Sequence, residues 1–158
     1  MHRRARSPRL SRYYTLARLA HSDTARARGL DNTPPPDLLP NLRLLARGLD
    51  RVRRLLGHPL VITSAYRSSA LNAIVGGAPR SQHVAGLAAD FTCPGFGPPL
   101  AVARAIRDST IAFDQCIYEF AEWIHLSFSE SPRRRVLTIY SAAEGYLEGL
   151  LDERRRPV

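Results

Sequence analysis

From Asp37 onward the apolar residues Leu38, Leu42, Leu45, Leu49, Val52 and Leu56 recur at alternating intervals of four and three, which marks one face of a long helix. Gly57 closes it, because a glycine just past the last apolar turn readily takes the left-handed conformation that ends helices. Pro40 is tolerated only because it falls in the first turn, where its missing N–H has no intrahelical partner to lose. A helix with a single apolar face has to be covered by other elements.

Downstream, Leu60-Val61-Ile62-Thr63-Ser64 is rich in β-branched residues and reads as a strand, and residues 88–93, 115–120, 123–128 and 135–140 read as four more. Shorter helices are expected at residues 14–20, at 68–75 before Gly76-Gly77, and at 98–109 with proline at the start. Ser141-Ala142-Ala143-Glu144 has the form of a capping box that opens a C-terminal helix. Helices and strands are mixed without a regular βαβ repeat, and the turns between the last three strands are short. That pattern suits an α+β fold with a small antiparallel sheet and flanking helices. Residues 1–12 are polar and arginine-rich and read as a loosely held basic arm, residues 13–140 as the domain, and residues 141–158 as a helical tail.

With 158 residues and 44% apolar content, the chain is long enough for one domain with a proper core and too short for two. Its 23 basic residues, all arginine, against 14 acidic ones give a formal charge of +9, which favours an anionic partner. The arginines are scattered in short runs and accompany no helix-turn-helix, finger or zipper pattern, so no specific nucleic-acid partner is expected. Arginines at 9, 12 and 18 interrupt every apolar run near the start, which leaves neither a signal peptide nor a membrane span and implies synthesis in the cytoplasm. Cys93 and Cys116 match no C-x-x-C spacing; buried free thiols are expected, with a disulfide between neighbouring strands as the alternative.

The chemistry-bearing residues cluster in two segments. His83 and Asp90 lie in Ser81-Gln82-His83-Val84-Ala85-Gly86-Leu87-Ala88-Ala89-Asp90, and His125 ends Glu122-Trp123-Ile124-His125. Imidazole and carboxylate are ligands that zinc accepts, and a set of three leaves the fourth tetrahedral position open, as in catalytic sites. Gly86 lets the loop turn so that the six-residue gap from His83 to Asp90 can close on one ion. On spacing alone such a set also arises by chance. His2, His21 and His58 have no comparable neighbourhood and are expected at the surface.

The full strings are more specific. Ser-x-His-x-x-Gly-x-Ala-x-Asp, preceded by Thr63-Ser64-Ala65-Tyr66-Arg67-Ser68 and followed by Glu-Trp-Ile-His, closely resembles the zinc D-alanyl-D-alanine metallopeptidases. That group includes D,D-carboxypeptidases, D,D-dipeptidases and phage endolysins that cut the L-alanyl-D-glutamate bond, and it shares its metal-site architecture with the hedgehog signalling domain. Asp31-Asn32-Thr33-Pro34-Pro35-Pro36, Gly76-Gly77-Ala78, Phe113-Asp114-Gln115 and Pro132-Arg133-Arg134-Arg135-Val136-Leu137 extend the likeness, toward a subgroup common in phages and prophages, over residues 10–140.

The resemblance implies a hedgehog/D-Ala-D-Ala metallopeptidase-like fold and one zinc ion held by His83, Asp90 and His125. Glu122 would be the general base, with Glu119 as the reserve, because on a straight strand residues three apart face opposite sides and Glu122 reaches the site only if the chain bends before Trp123. Arg67 would stabilise the oxyanion of the tetrahedral intermediate. Ser81 and Gln82 would shape the pocket, Trp123 would either wall it or fill the core, and Asp114 and Gln115 would orient a metal-bound histidine. The function implied is a monomeric zinc-dependent peptidase that hydrolyses the stem peptides of bacterial peptidoglycan at a D-Ala-D-Ala or L-Ala-D-Glu bond. The alternative is a catalytically inactive zinc-containing module of the same fold that binds cell wall. An enzyme of this kind without an export signal would reach the wall through a lysis pore.

Overall fold

The computed structural model describes residues 7–158; the first half of the expected N-terminal arm, and His2 with it, lies outside the described residues. The elements run in the order α1 (Leu16–Ala20), α2 (Asp23–Arg28), a 3₁₀ turn (Pro36–Leu38), α3 (Leu39–Leu56), β1 (Val61–Ser64), α4 (Ser69–Ile74), β2 (Ala88–Thr92), α5 (Pro99–Asp108), β3 (Gln115–Glu119), β4 (Trp123–Ser127), β5 (Arg135–Ile139) and β6 (Leu147–Glu148). The fold is α+β, with one six-stranded sheet in the order β1-β2-β4-β3-β5-β6.

Local chemistry accounts for most of the boundaries. Pro40 sits in the first turn of α3, and Gly57 takes φ 69° at its end. Ser68 caps α4 by accepting a hydrogen bond from the Leu71 N–H. Helix α2, which the apolar spacing did not reveal, is bracketed by the Ser22 side chain, which accepts from the Ala25 N–H, and by Gly29 at φ 62°.

Strand alternation divides the sheet into two faces. On one face Phe91, Ile124, Leu126, Cys116 and Tyr118 join Leu42, Leu45, Leu49 and Val52 of α3 and Val102, Ala103 and Ile106 of α5 in the main core. On the other, Ile117, Leu137 and Ile139 form a small separate cluster beside the polar residues of the site described below. Cys93 and Cys116 are free, buried thiols.

Helix α3 approaches the sheet closely at Gly48, where an added Cβ would lie 2.3 Å from the Phe128 ring. On propensity alone Gly48→Ala would favour the helix by about 1 kcal/mol. The ring, with 1% exposure, has nowhere to go, so overpacking wins. The expected outcome of Gly48→Ala is a net loss of about 1–3 kcal/mol in urea unfolding. An unchanged or raised midpoint would mean that Phe128 can repack.

Three expectations are corrected. Strand β5 does not pair with β4 but runs parallel to β3, with Gln115 opposite Arg135 and Glu119 opposite Ile139. Both edges of β4 are already taken, by β2 and by β3, so the chain must cross to the free edge of β3, where its direction matches. The C-terminal helix does not form. Ser141 Oγ does accept from the Glu144 N–H at 3.2 Å, but Gly145 at φ 76° stops the turn at once, and β6 then pairs with β5. Nor are residues 7–12 loosely held: Leu10 is buried in the core, and Asp50 of α3 accepts hydrogen bonds from Ser11 Oγ and the Arg12 N–H, both at 2.9 Å.

Candidate metal centre

Asp90 and His125 face each other directly across the β2–β4 ladder, so alternation alone puts both side chains on the open face of the sheet. His83 comes from the loop after α4, which closes tightly through Gly86 at φ 71° and the Gly86 N–H to His83 carbonyl bond of 3.2 Å. Asp90 Oδ1 lies 3.1 Å from His83 Nε2 and 2.9 Å from His125 Nδ1. The two imidazole nitrogens are 3.2 Å apart. All three residues are buried, with exposures of 1%, 9% and 9% for His83, Asp90 and His125.

This triangle fits a metal ion. His83 Nδ1 lies 2.6 Å from the carbonyl of Ala65, which can only accept, so the proton sits on Nδ1 and the Nε2 lone pair points at Asp90 and His125. A lone pair facing a carboxylate oxygen is repulsive unless positive charge lies between them. Zinc bonds of about 2.0–2.1 Å in a tetrahedron place neighbouring donors about 3.3 Å apart, close to the observed edges. Burial lowers the His83 pKa and so favours the neutral imidazole that ligates metals. Burial alone would raise that of Asp90, but the imidazoles of His125 and His83 beside it outweigh burial and hold the carboxyl well below its usual range. Among the described residues, His83, Asp90 and His125 are the group of histidine, cysteine and acidic side chains whose donor atoms converge closely enough to hold an ion.

The triad opens into a cavity of about 660 Å³ lined also by Arg67, Ser81, Gln82, Glu119 and Trp123. Phe120 and Ala121, at φ 54° and 58°, are the central residues of a β-turn closed by the Glu122 N–H to Glu119 carbonyl bond of 2.9 Å, and with Glu122 they make the three-residue loop between β3 and β4. This tight turn sets Glu119 opposite Trp123 on the cavity face, with His125 two residues farther along β4. Glu122 is exposed and does not line the cavity. It belongs to the turn and not to β4, so the strand does not carry its side chain toward the donors. Trp123 Nε1 donates to Glu119 Oε2 at 2.9 Å. Burial raises the pKa of Glu119, against the opposing charge of His125.

Arg67 comes just after β1, and its backbone N–H donates to the His83 carbonyl at 3.2 Å. Its side-chain Nε is buried without a partner among the described residues, as is Gln82 Oε1. Burial pulls the Arg67 pKa down, and the carboxylates of Asp90 and Glu119 push it back up. Ser81 Oγ accepts from the His83 N–H at 3.3 Å and so braces the ligand loop.

Asp114 does not orient a histidine. It accepts from Gln82 Nε2 at 2.8 Å and from Arg133 Nε at 2.8 Å, tying the cavity wall together, while the Gln115 backbone N–H donates to Ser127 Oγ. The group that orients His83 is instead a main-chain carbonyl, which no side-chain pattern reveals. His21 and His58 are exposed and away from the cavity.

Sequence reasoning also missed the role of Asn32, which entered only as part of the Asp31-Asn32-Thr33-Pro34-Pro35-Pro36 string that extends the likeness. Its Nδ2 donates to the carbonyls of Ala20 (2.9 Å) and Tyr66 (3.1 Å), and its Oδ1 accepts from the Ser68 N–H at 2.7 Å, so it clamps both sides of Arg67. Asn32→Ala leaves these main-chain groups unpaired in a buried setting, and a loss on the order of 3 kcal/mol in chemical denaturation is expected. An unaltered midpoint would show that water replaces the amide.

A family profile described as Peptidase M15 matches residues 12–127, the stretch that contains all three converging donors together with Arg67 and Glu119. No curated protein matches the sequence. With residues 12–127 of the 158 covered, the chain belongs to the peptidase M15 family, the zinc D-Ala-D-Ala metallopeptidases.

Proposed function

We propose that the protein is a zinc-dependent peptidase that hydrolyses peptidoglycan stem peptides at a D-Ala-D-Ala or L-Ala-D-Glu bond. The observation that carries this reading is the triangle of two imidazole nitrogens and one carboxylate oxygen at the base of a cleft that also holds a half-buried arginine and a half-buried glutamate. Zinc in such a site supplies Lewis acidity, which polarises a carbonyl and acidifies water. His83, Asp90 and His125 would hold the ion.

Glu119 acts as general base in this reading: it takes the proton of the attacking water and passes it to the departing amine. Its raised pKa suits both transfers, and the Trp123 indole holds its carboxylate in place. Arg67, whose Nε has no partner among the described residues, stabilises the oxyanion that develops on the scissile carbonyl. Ser81 and Gln82 support the pocket wall, and Trp123 closes one side. Among the described residues, no helix is long and apolar enough to cross a membrane. The enzyme would act as a monomer and reach the wall through a lysis pore.

Digestion of purified muropeptides, analysed by mass spectrometry with and without a chelator, tests the proposal. Loss of one D-alanine, or separation of L-alanine from D-glutamate, abolished by chelation and restored by zinc, is expected. Metal binding without any cleavage would favour a cell-wall-binding module, and cleavage that survives chelation would exclude metal dependence.

A further inference from the structure

We propose that Tyr146, from the segment C-terminal to the family match, is a substrate-binding residue that makes the enzyme favour long stem peptides over short ones. This rests on the reading of the cleft as a peptide site.

Tyr146 immediately precedes β6, where Leu147 pairs with Thr138 and Glu148 with Leu137. One step back along that ladder, Tyr146 falls level with Ile139, which is paired with Glu119, itself opposite Trp123. Trp123, Glu119, Ile139 and Tyr146 therefore form one row across the open face of the sheet. The neighbouring row runs through Asp90, His125, Ile117, Leu137 and Glu148. Tyr146 lines the same cavity as the three donor residues.

Strands spaced about 4.8 Å apart, with about 3.3 Å per residue along each, put Tyr146 roughly 10 Å from the backbone of Glu119 and roughly 16 Å from that of His125 in the neighbouring row. An extended peptide advances about 3.3 Å per residue, so Tyr146 lies some three residues from the bond beside Glu119. Between them the floor is the apolar cluster of Ile117, Leu137 and Ile139, which suits small side chains such as the methyl of alanine. A dipeptide does not span this distance; a stem peptide of four or five residues does.

The residue is also well presented. Tyr146 is 62% exposed, although the edge that carries it is fixed: Thr138 Oγ1 accepts from the Leu151 N–H and donates to the Gly149 carbonyl, and Tyr140 Oη donates to the Leu151 carbonyl at 2.9 Å. A rigid aromatic loses little conformational freedom on binding. Partial burial, with the charges of Glu119 and Asp90, raises the pKa of the phenol and so keeps it a hydrogen-bond donor to a peptide carbonyl or carboxylate.

Binding can be read without turnover, through the fluorescence of the single tryptophan, Trp123, in the full-length metal-free protein. The probes are a pentapeptide stem, L-Ala-D-Glu-diamino acid-D-Ala-D-Ala, and acetylated D-Ala-D-Ala. Tyr146→Ala is expected to raise Kd for the pentapeptide about tenfold, and Tyr146→Phe about threefold, while Kd for the short ligand changes less than about twofold. Melting temperatures should match the wild type because the side chain is exposed. In the zinc-loaded enzyme the same variants should raise KM for the long substrate and leave kcat within about twofold. Equal pentapeptide affinity in wild type and Tyr146→Ala, or equal losses for both probes, overturns the proposal, as does a wild-type protein that does not bind the pentapeptide. Pentapeptide binding that depends on Tyr146 in a protein that cleaves nothing would sink the peptidase reading alone.

Discussion

His125→Ala is expected to abolish both metal binding and peptide hydrolysis while leaving the fold intact. His125 supplies one of three donor atoms that lie 2.9–3.2 Å apart, and its removal leaves Asp90 and His83 as a two-point site. Two ligands from a protein hold zinc far more weakly than three, and the deletion would leave two corners of the tetrahedron to water instead of one. His125 lies on the open face of β4, whereas Ile124 and Leu126 on either side of it carry the core contacts, so the sheet should survive the change. Metal analysis after dialysis would show about one zinc per wild-type chain and none in the variant. Retention of stoichiometric metal, or of full activity, would place the ion elsewhere.

Glu119→Gln should lower kcat by roughly 10²–10⁴ and leave zinc content unchanged, whereas Glu122→Gln should be silent. The contrast arises from the hairpin. Glu119 ends β3 inside the cavity, hydrogen-bonded to the Trp123 indole, and Glu122 leaves the turn into solvent. Glutamine keeps the bond to the indole and removes only the capacity to take a proton, so a drop in kcat with little change in KM is the signature of a lost base.

The pH profile gives independent access to the same residue. As the proposed general base Glu119 would have to be ionised, and burial raises its pKa, so the acid limb of kcat/KM should lie above the usual glutamate range and disappear in Glu119→Gln. The effect on stability has the opposite sign. A carboxyl with a raised folded-state pKa contributes stability below its unfolded pKa, and that contribution is lost as pH rises through the folded value. The metal-free glutamine variant should therefore be no less stable than the wild type at neutral pH. Full activity in Glu119→Gln would return the base role to Glu122.

Legibility in the sequence depended on the reach of each interaction. Helix α3 could be read because its burial repeats with the helical period and its ends are marked by Pro40 and Gly57. The strands were legible one by one, but the partner of β5 was not, since it depends on which edges β2 and β3 have already occupied. The capping sequence at Ser141 is real chemistry over one turn; beyond that turn, Gly145 and the open edge of β5 direct the chain into a strand.

At the site, the convergence of His83, Asp90 and His125 was legible because the strings that hold them resemble those of a metallopeptidase family. The choice between the two glutamates was not, because it turns on a hairpin at Phe120-Ala121, residues that rarely adopt positive φ and carry no turn signal. The Ala65 carbonyl that orients His83 belongs to the backbone and leaves no trace in residue type. Tyr146 sits beyond the matched segment and enters the cleft only because β6 joins the sheet.

X-ray absorption at the zinc edge of protein purified with its metal tests the central claim most directly. A shell of nitrogen and oxygen scatterers at about 2.0–2.1 Å, including two imidazoles, without sulfur and with about one zinc per chain, is the expected result. A sulfur scatterer near about 2.3 Å, or a spectrum unchanged by Asp90→Ala, would contradict a centre built from His83, Asp90 and His125.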